Sequence, residues 1–332
     1  MKTIDLNAWS SRSTNAWQDS VLVGFGTPRF SVVIPTWNRA DSLRLALGDV
    51  LKQEFGDLEV IVVVDGSTDS TLVDLSPAID DRLRVLSQPN GGRCRARNAG
   101  AAAASGEWLV FLDDDDRVAS EWLGVLDEHG HDPSVGLVCC GAELIDPDGN
   151  VLGESRPRAL GPLYGSITAQ FAAGSFAVRK ALFDAVGGYD PMITFGENYE
   201  LGVRVGILCR EAGLCVATDV RCPVRWTRRP AIPASPSRVQ AMYDGATRLL
   251  EKHAQLLTAD TKAWSDALSI AGVNAARLGL LHESRGYLAR AALVRPTRGK
   301  NWLRLLASLS TRLATRVWGS TEHSTQQQAT SC

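Results

Sequence analysis

The run Leu58-Glu59-Val60-Ile61-Val62-Val63-Val64 places six apolar residues in seven, five of them β-branched. A run this short and this branched has no wet face, so it belongs in a central parallel strand covered on both sides. Parallel neighbours cannot be joined by hairpins; they need crossover connections, which helices supply. The flanking sequence provides both. Phe30 to Ile34 reads as a buried strand, and Ala40 to Lys52, with Leu43, Leu47, Val50 and Leu51 on one stripe, reads as a helix. A short helix is expected from about Thr68, stopping near Pro77, then a strand at Leu83 to Leu86. Cys94 to Ala104 is an alanine-rich helix and Trp108 to Leu112 a fourth strand. A helix from Ser120 to Glu128, capped by Ser120, and a strand from Val135 to Cys140 follow. The pattern predicts an α/β fold with a mostly parallel sheet and helices on both faces.

Beyond Gly141 the pattern loosens. Gly141 to Gly165 reads as loop around the turn Asp146-Pro147-Asp148-Gly149-Asn150, and Phe176 to Val186 as helix. Arg221 to Ser237 is a basic, proline-rich loop, and from Val239 to about Trp318 the pattern is helical throughout. The expected division is an N-terminal extension over 1–28, a sheet domain over 29–238, a helical region over 239–318 and a polar, disordered tail over 319–332. Within the sheet domain, about 29–140 forms one half and 141–238 the other.

Charge and cysteine content exclude several classes of function. A formal net charge of -2 gives nucleic acid no electrostatic footing. Seven cysteines without a CxxC pair suggest neither a zinc site nor a disulfide framework. The first residues lack the basic and apolar regions of a signal peptide, and no window reaches the length of a spanning helix, so a cytoplasmic location is expected.

Open α/β sheets bind ligands beyond the carboxyl ends of their strands. Four polar segments occupy those ends: Pro35-Thr36-Trp37-Asn38-Arg39, Asp65-Gly66-Ser67-Thr68-Asp69, Gln88-Pro89-Asn90-Gly91-Gly92 and Asp113-Asp114-Asp115-Asp116. Carboxylates about 4 Å apart repel by roughly 4 kcal/mol at the effective dielectric of a protein surface, so four aspartates in a row must be solvated or hold a cation. Mg²⁺ or Mn²⁺, which take oxygen ligands and bridge carboxylates to phosphates, suit such a rim. Thr36, Asp65 and Ser67 can hydrogen-bond a base and a ribose, and Arg93, Arg95 and Arg97 can meet a diphosphate or form a solvated helix face.

The segments FSVVIPTWNRADSL, VIVVVDGSTDST, NGGRCRARNAGAAAASGEWLVFLDDDD, FAVRKALFDAVGGYDP and ENYELGVRV, in this order over residues 29 to 225, resemble the inverting family 2 glycosyltransferases with the GT-A fold. The resemblance implies transfer of a sugar from a nucleoside-diphosphate sugar, a UDP-sugar in the first instance, to a saccharide or lipid-linked hydroxyl acceptor in polysaccharide or glycoconjugate synthesis. Nucleotide binding then falls to Pro35, Thr36, Asn38, Arg39, Asp65, Ser67, Arg97, Asp113 and Asp114, with Asp65 accepting from the base and Arg97 facing the diphosphate. Asp113 and Asp115 become the acidic positions of the DxD motif, with Asp115 the main ligand of a divalent Mn or Mg ion. Asp116 either caps the next helix or takes a catalytic role.

Two positions depart from the family pattern. Val64 stands where a first acidic residue is usual, and Asn198, in Glu197-Asn198-Tyr199-Glu200-Leu201, where the general base is usual. An amide cannot take the acceptor's proton. That leaves Glu197, in the loop before the helix, or Glu200 as the base, activation of the acceptor by other means, or a protein that binds nucleotide-sugar with little transfer. Glu200 has the alternative of pairing with Arg204 one helical turn on. A dinucleotide-dependent oxidoreductase is disfavoured, since Pro35-Thr36-Trp37-Asn38-Arg39 stands where GxGxxG would be required, and a nucleotidyltransferase would want a glycine-rich loop there. Near the C-terminus Trp302, Leu305, Leu306, Leu309, Leu313 and Val317 form one helical stripe, which either packs on its neighbours or gives peripheral contact with the inner face of a membrane.

Overall fold

The computed structural model describes residues 27–71, 80–160, 167–227 and 235–318. The expected extension over 1–28 and the tail over 319–332 thus lie almost wholly outside the described residues, as does most of the short helix expected after Thr68. Strands β1 (Phe30–Thr36), β2 (Leu58–Asp65), β3 (Leu83–Gln88) and β4 (Trp108–Phe111) alternate with helices α1 (Ala40–Leu51) and α2 (Arg93–Ala103). Residues 58–65 are buried along their full length, as a run without a polar face requires. After β5 (Arg117–Val118) come α3 (Trp122–Gly130) and β6 (Val135–Cys139).

The next stretch departs from expectation. Residues taken as loop form a hairpin, β7 (Ala142–Ile145) against β8 (Val151–Ser155), folded at the predicted Asp146 turn. The exposed Val151 and Leu152 give β8 no apolar face to announce it. After the short strands β9 (Arg158–Ala159) and β10 (Thr168–Ala169), the segment expected as helix opens instead as β11 (Phe176–Arg179) and turns helical only in α4 (Lys180–Ala185). β11 runs antiparallel between β4 and β6, where Phe176, Ala177 and Val178 are covered from both faces. A four-residue apolar run carries no period, so only its neighbours decide its state. Helix α5 (Glu197–Glu211) and strands β12 (Cys215–Thr218) and β13 (Val224–Thr227) complete this half. The main sheet has the order β12-β6-β11-β4-β1-β2-β3, parallel except at β11.

Strand alternation sends side chains to two cores. Val32, Ile34, Val60, Val62 and Val110 pack on Leu43, Leu47 and Val50 of α1 and Trp122 and Leu126 of α3. Val33, Ile61, Val63, Leu109 and Phe111 meet Cys94, Ala96 and Ala101 of α2 and Leu201 and Val205 of α5. Helix α2 lies so close to the sheet that a Cβ on Gly100 would stand 2.4 Å from Val33 Cγ1. This close seating fixes the helix N-terminus over the strand ends. From Pro236 the described chain is helical: α6 (Pro236–Lys252), α7 (Ala254–Ala259), α8 (Thr261–Arg277), α9 (Leu281–Val294), α10 (Gly299–Ser308) and α11 (Thr311–Trp318). The single C-terminal stripe is therefore two helices, broken at Leu309 and Ser310.

Candidate nucleotide and transfer site

The loops after β1, β2, β3 and β4 meet around a cleft of about 900 Å³. Pro35, Thr36, Trp37, Arg39, Asp65, Asn90 to Arg93 and Asp113 to Asp115 form one side of it. Pro191, Thr194 and Phe195, with Ser237, Arg238 and Ala241 of α6, form the other.

Asn38 joins the first two loops. Its φ of 52° is the one positive value outside glycine among the described residues, a conformation that asparagine tolerates better than most. In it the Asn38 amide N–H donates to Ser67 Oγ at 2.9 Å, and Oδ1 accepts from the Thr68 amide at 2.7 Å. Asn38 and Ser67 thus brace the rim without lining the cleft.

Asp65, 4% exposed at the end of β2, holds the third loop. Its carboxylate accepts from Gln88 Nε2 at 2.7 Å and from the Gly91 and Gly92 amides at 2.8 Å. Asn90 Nδ2 donates to the Asp65 carbonyl at 2.9 Å. The loops approach so closely that a Cβ on Gly66, at φ 71°, would lie 2.5 Å from the Asn90 amide nitrogen. Gly92, at φ 84°, then starts α2, whose first amides lie at the cleft, an arrangement suited to an anion.

The four aspartates have four different surroundings. Asp113 accepts from Arg97 Nη2 at 2.5 Å. Burial alone would raise its carboxyl, but Arg97 outweighs that and holds it below the ordinary range. Asp114 accepts from Thr36 Oγ1 at 2.8 Å and from Arg39 Nη1 at 2.9 Å, yet burial leaves its carboxyl raised. Asp115 pairs with the same Arg39 nitrogen at 2.9 Å. Asp116 is buried, and burial together with Asp113, Asp115 and Asp114 pushes its carboxyl well above the ordinary range. It does not cap a helix: α3 begins at Trp122, and its cap position is Glu121. Ser120 is no cap either, since its Oγ donates to Glu54 at 2.6 Å.

Arg97 corrects the expectation of an arginine facing a diphosphate. It is fully buried, one nitrogen on Asp113, another on Glu197 Oε1 at 3.0 Å, its Cζ 5.2 Å from the Tyr189 ring centroid, and its Nε without a partner. Burial would lower its pKa, but Asp113, Tyr189 and Glu197 together raise it, so it stays charged. Arg93 is the arginine of this helix that reaches the cleft.

Neither carboxylate considered as the base, Glu197 or Glu200, nor Asn198 at the usual base position, is among the residues lining the cleft. Glu197 is the first residue of α5 rather than part of the preceding loop, 6% exposed, with Arg97 and Arg93 both on Oε1. Asn198 Oδ1 accepts from Tyr189 Oη at 2.8 Å. Glu200 pairs with Arg204, as its spacing suggested, but also accepts from His253 Nε2 at 2.8 Å and sits 3.0 Å from Lys252 Nζ. Sequence reasoning missed this link, because nothing local ties residue 200 to residues 252 and 253. The same holds for Ser237, Arg238 and Ala241, whose α6 has a Ser235 cap and Pro236 as readable signals but no sign of its place at the cleft.

Burial would raise the Glu200 carboxyl, yet hydrogen bonds from His253 and Arg204 drive it far below its ordinary value. A depressed pKa contributes stability above the ordinary carboxylate range, which is lost as the pH falls toward the folded-state value. Glu200→Gln is therefore expected to lower the thermal midpoint near pH 7 and to flatten the decline between about pH 5 and pH 3. An acid limb identical to that of the parent protein would show that the cluster does not govern it.

Asp113 and Asp115 also bear on metal binding. Among the described residues no group of three or more acidic, histidine or cysteine side chains converges as a metal site. The two cleft aspartates still fit Mg²⁺ or Mn²⁺, which commonly take one or two carboxylates and complete their shell with water and substrate phosphates. Arg39, which now spans Asp114 and Asp115, would have to yield one of them.

Residues 31–187 match the family model described as "Glycosyl transferase family 2". Over 116 residues the chain is 34% identical to the uncharacterized glycosyltransferase EpsJ of Bacillus subtilis, covering 34% of each chain. It is 36% identical over 141 residues to the GalNAc(5)-diNAcBac-PP-undecaprenol beta-1,3-glucosyltransferase of Campylobacter jejuni, covering 40% of this chain and 44% of that one. The matches thus span between a third and under half of these relatives. Among solved structures, Staphylococcus aureus TarS 1-349 in complex with UDP-GlcNAc aligns with a TM-score of 0.53 at 18% identity, covering 88% of this chain and 92% of that one. Mannosyltransferase PcManGT from Pyrobaculum calidifontis, in complex with GDP-Man and Mn2+, aligns with a TM-score of 0.55 at 19% identity, covering 90% and 85%. At such identities the likeness establishes the fold, which is the GT-A arrangement expected from the sequence.

Proposed function

We propose that this chain, a member of glycosyl transferase family 2 over residues 31–187, moves a sugar from a nucleoside-diphosphate donor to a hydroxyl acceptor with inversion. One observation carries the reading: Thr36, Arg39, Asp65, the start of α2 and Asp113 to Asp115 line a single cleft. Pro35, Thr36 and Asp65 would take the base and ribose, with Arg39, Arg93 and the α2 amides toward the diphosphate. Asp115, backed by Asp113, would hold a divalent ion, which neutralises charge on the departing diphosphate. The wall of Thr194, Phe195, Ser237 and Arg238 is the acceptor side of this reading.

Glu197 is the proposed base. Both arginines bond its Oε1, and its Oε2 would take the acceptor's proton, which requires that the buried carboxylate, outside the cleft lining here, be uncovered when substrates bind. The acceptor oxygen bonds the anomeric carbon, the carbon–oxygen bond to the diphosphate breaks, and one displacement inverts that centre. A UDP-sugar donor is suggested by the UDP-GlcNAc complex of TarS, and a lipid-linked saccharide acceptor in glycoconjugate synthesis by the name of the Campylobacter relative. Such an acceptor would bring the enzyme to the inner face of a membrane.

Glu197→Gln keeps the Oε1 acceptor and removes the base. Its turnover is expected to fall by about 10²- to 10⁴-fold, with the affinity for nucleoside diphosphate unchanged. Unchanged turnover would reject Glu197. Asn198 favours a second reading, a nucleotide-sugar binding protein with little transfer; binding without turnover across a panel of nucleotide-sugars would select it.

A further inference from the structure

Helices α10 and α11 are built inside out. Against the rest of the chain they bury Asn301 and Ser308 at 0% exposure and Ala314 at 3%. Asn301 is held there by hydrogen bonds, its Nδ2 donating to Ser265 Oγ and the Ala291 carbonyl at 2.9 Å each and its Oδ1 accepting from Ser269 Oγ at 3.2 Å. Toward solvent the same helices turn Trp302, Leu303, Leu306, Leu309, Leu313 and Val317, between 40% and 68% exposed. A helix pair made to lie in water puts its large apolar residues inward and its small polar ones outward. The reversal concentrates six large apolar side chains on one stretch of sixteen residues, which marks an interaction surface rather than scattered exposure.

The charge around this face names the partner. From Ser284 to Trp318 the chain carries eight arginines and lysines and no aspartate or glutamate, although the whole protein has a formal net charge of -2. Of these, Arg298 is paired with Asp266, and Arg285 donates to the Ser308 and Leu309 carbonyls. Arg312 and Arg316 are exposed and adjoin Leu313 and Val317 in α11. A second copy of this chain would bring the same cations against them, a like-charge juxtaposition that disfavours pairing. An anionic lipid surface answers both features: leucines and tryptophan enter the boundary of headgroups and acyl chains, and arginines meet the phosphates. Among the described residues no helix is long and apolar enough to cross a membrane, so the pair would lie in the plane of the interface.

We propose that α10 and α11 dock this protein on the surface of a bilayer containing anionic phospholipid. The inference rests on the exposed face and is independent of the donor-site reading. Co-sedimentation of the full chain with vesicles of phosphatidylcholine and phosphatidylglycerol tests it. The chain is expected to bind these vesicles, to bind pure phosphatidylcholine weakly, and to be released as salt rises. Arg312→Gln with Arg316→Gln should lower the partition coefficient about thirtyfold. Leu303→Glu with Leu306→Glu and Leu313→Glu should abolish binding, with circular dichroism and nucleoside-diphosphate affinity unchanged because these side chains are exposed. Absence of binding to anionic vesicles, or binding that survives the triple variant, would overturn the proposal. So would a solution mass that halves in the triple variant, which would assign the face to a second copy.

Discussion

Asp115→Ala is expected to abolish the metal-dependent part of nucleoside-diphosphate binding and to lower transfer by about three orders of magnitude. The size follows from position. Asp115 lines the cleft with a side chain 28% exposed, whereas Asp113 is already bonded to the buried Arg97. Without Asp115, an ion of this class would be left with a partner committed to an arginine. The substitution should spare the fold, because Arg39 keeps its bond to Asp114 and an exposed ion pair contributes about 1 kcal/mol or less. Calorimetry with UDP, with and without Mn²⁺, on both proteins gives the answer directly. Equal, metal-dependent affinities would remove Asp115 from the site.

The second large effect is on stability. Arg97→Met is expected to destabilise the protein by about 3 kcal/mol, the lower end of the range for breaking a buried ion pair, since Asp113 retains some access to water. The loss comes from what remains behind: Glu197, 7% exposed at its side chain, keeps only the exposed Arg93 as a counter-charge. Arg97→Lys should recover little, because one ammonium cannot span Asp113 and Glu197 as the guanidinium does. Combining Arg97→Met with Glu197→Met should recover part of the loss, since buried pairs are often replaceable by apolar residues of similar volume. Urea denaturation of the three variants measures this. A single-variant loss under about 1 kcal/mol would mean that water already compensates the pair.

The sheet and the strand-end rim of the cleft were legible because two simple rules fix them. An apolar run with no polar face must be central, and the residues that end parallel strands must share an edge, so Thr36, Asp65 and Asp113 to Asp115 could be placed together from sequence alone. What escaped was set by distance. Arg97 looks like any helix-face arginine until Glu197, 100 residues on, closes over it. Val151 and Leu152 stand exposed in β8, so its pairing with β7 left no pattern of alternation. β11 is too short to show a period, and its strand state comes from β4 and β6 on either side. The C-terminal stripe was visible, but not that it faces outward, because an apolar stripe looks the same whether protein or lipid covers it.

The pairing of Arg39 with Asp114 and Asp115 carries a kinetic consequence. The cleft is lined by three arginines, Arg39, Arg93 and Arg238, against four aspartates, Asp65, Asp113, Asp114 and Asp115, so its charges nearly cancel before any ligand arrives. Such a mouth casts little field into solution and cannot draw a doubly charged donor from afar. On the proposed reading, capture would proceed by exchange of partners at contact: Arg39, now paired with Asp114 and Asp115, would give up a carboxylate to a divalent ion and turn to a phosphate. The rate of encounter should owe little to ionic strength, and selectivity resides in how well the incoming pair replaces the bonds it displaces.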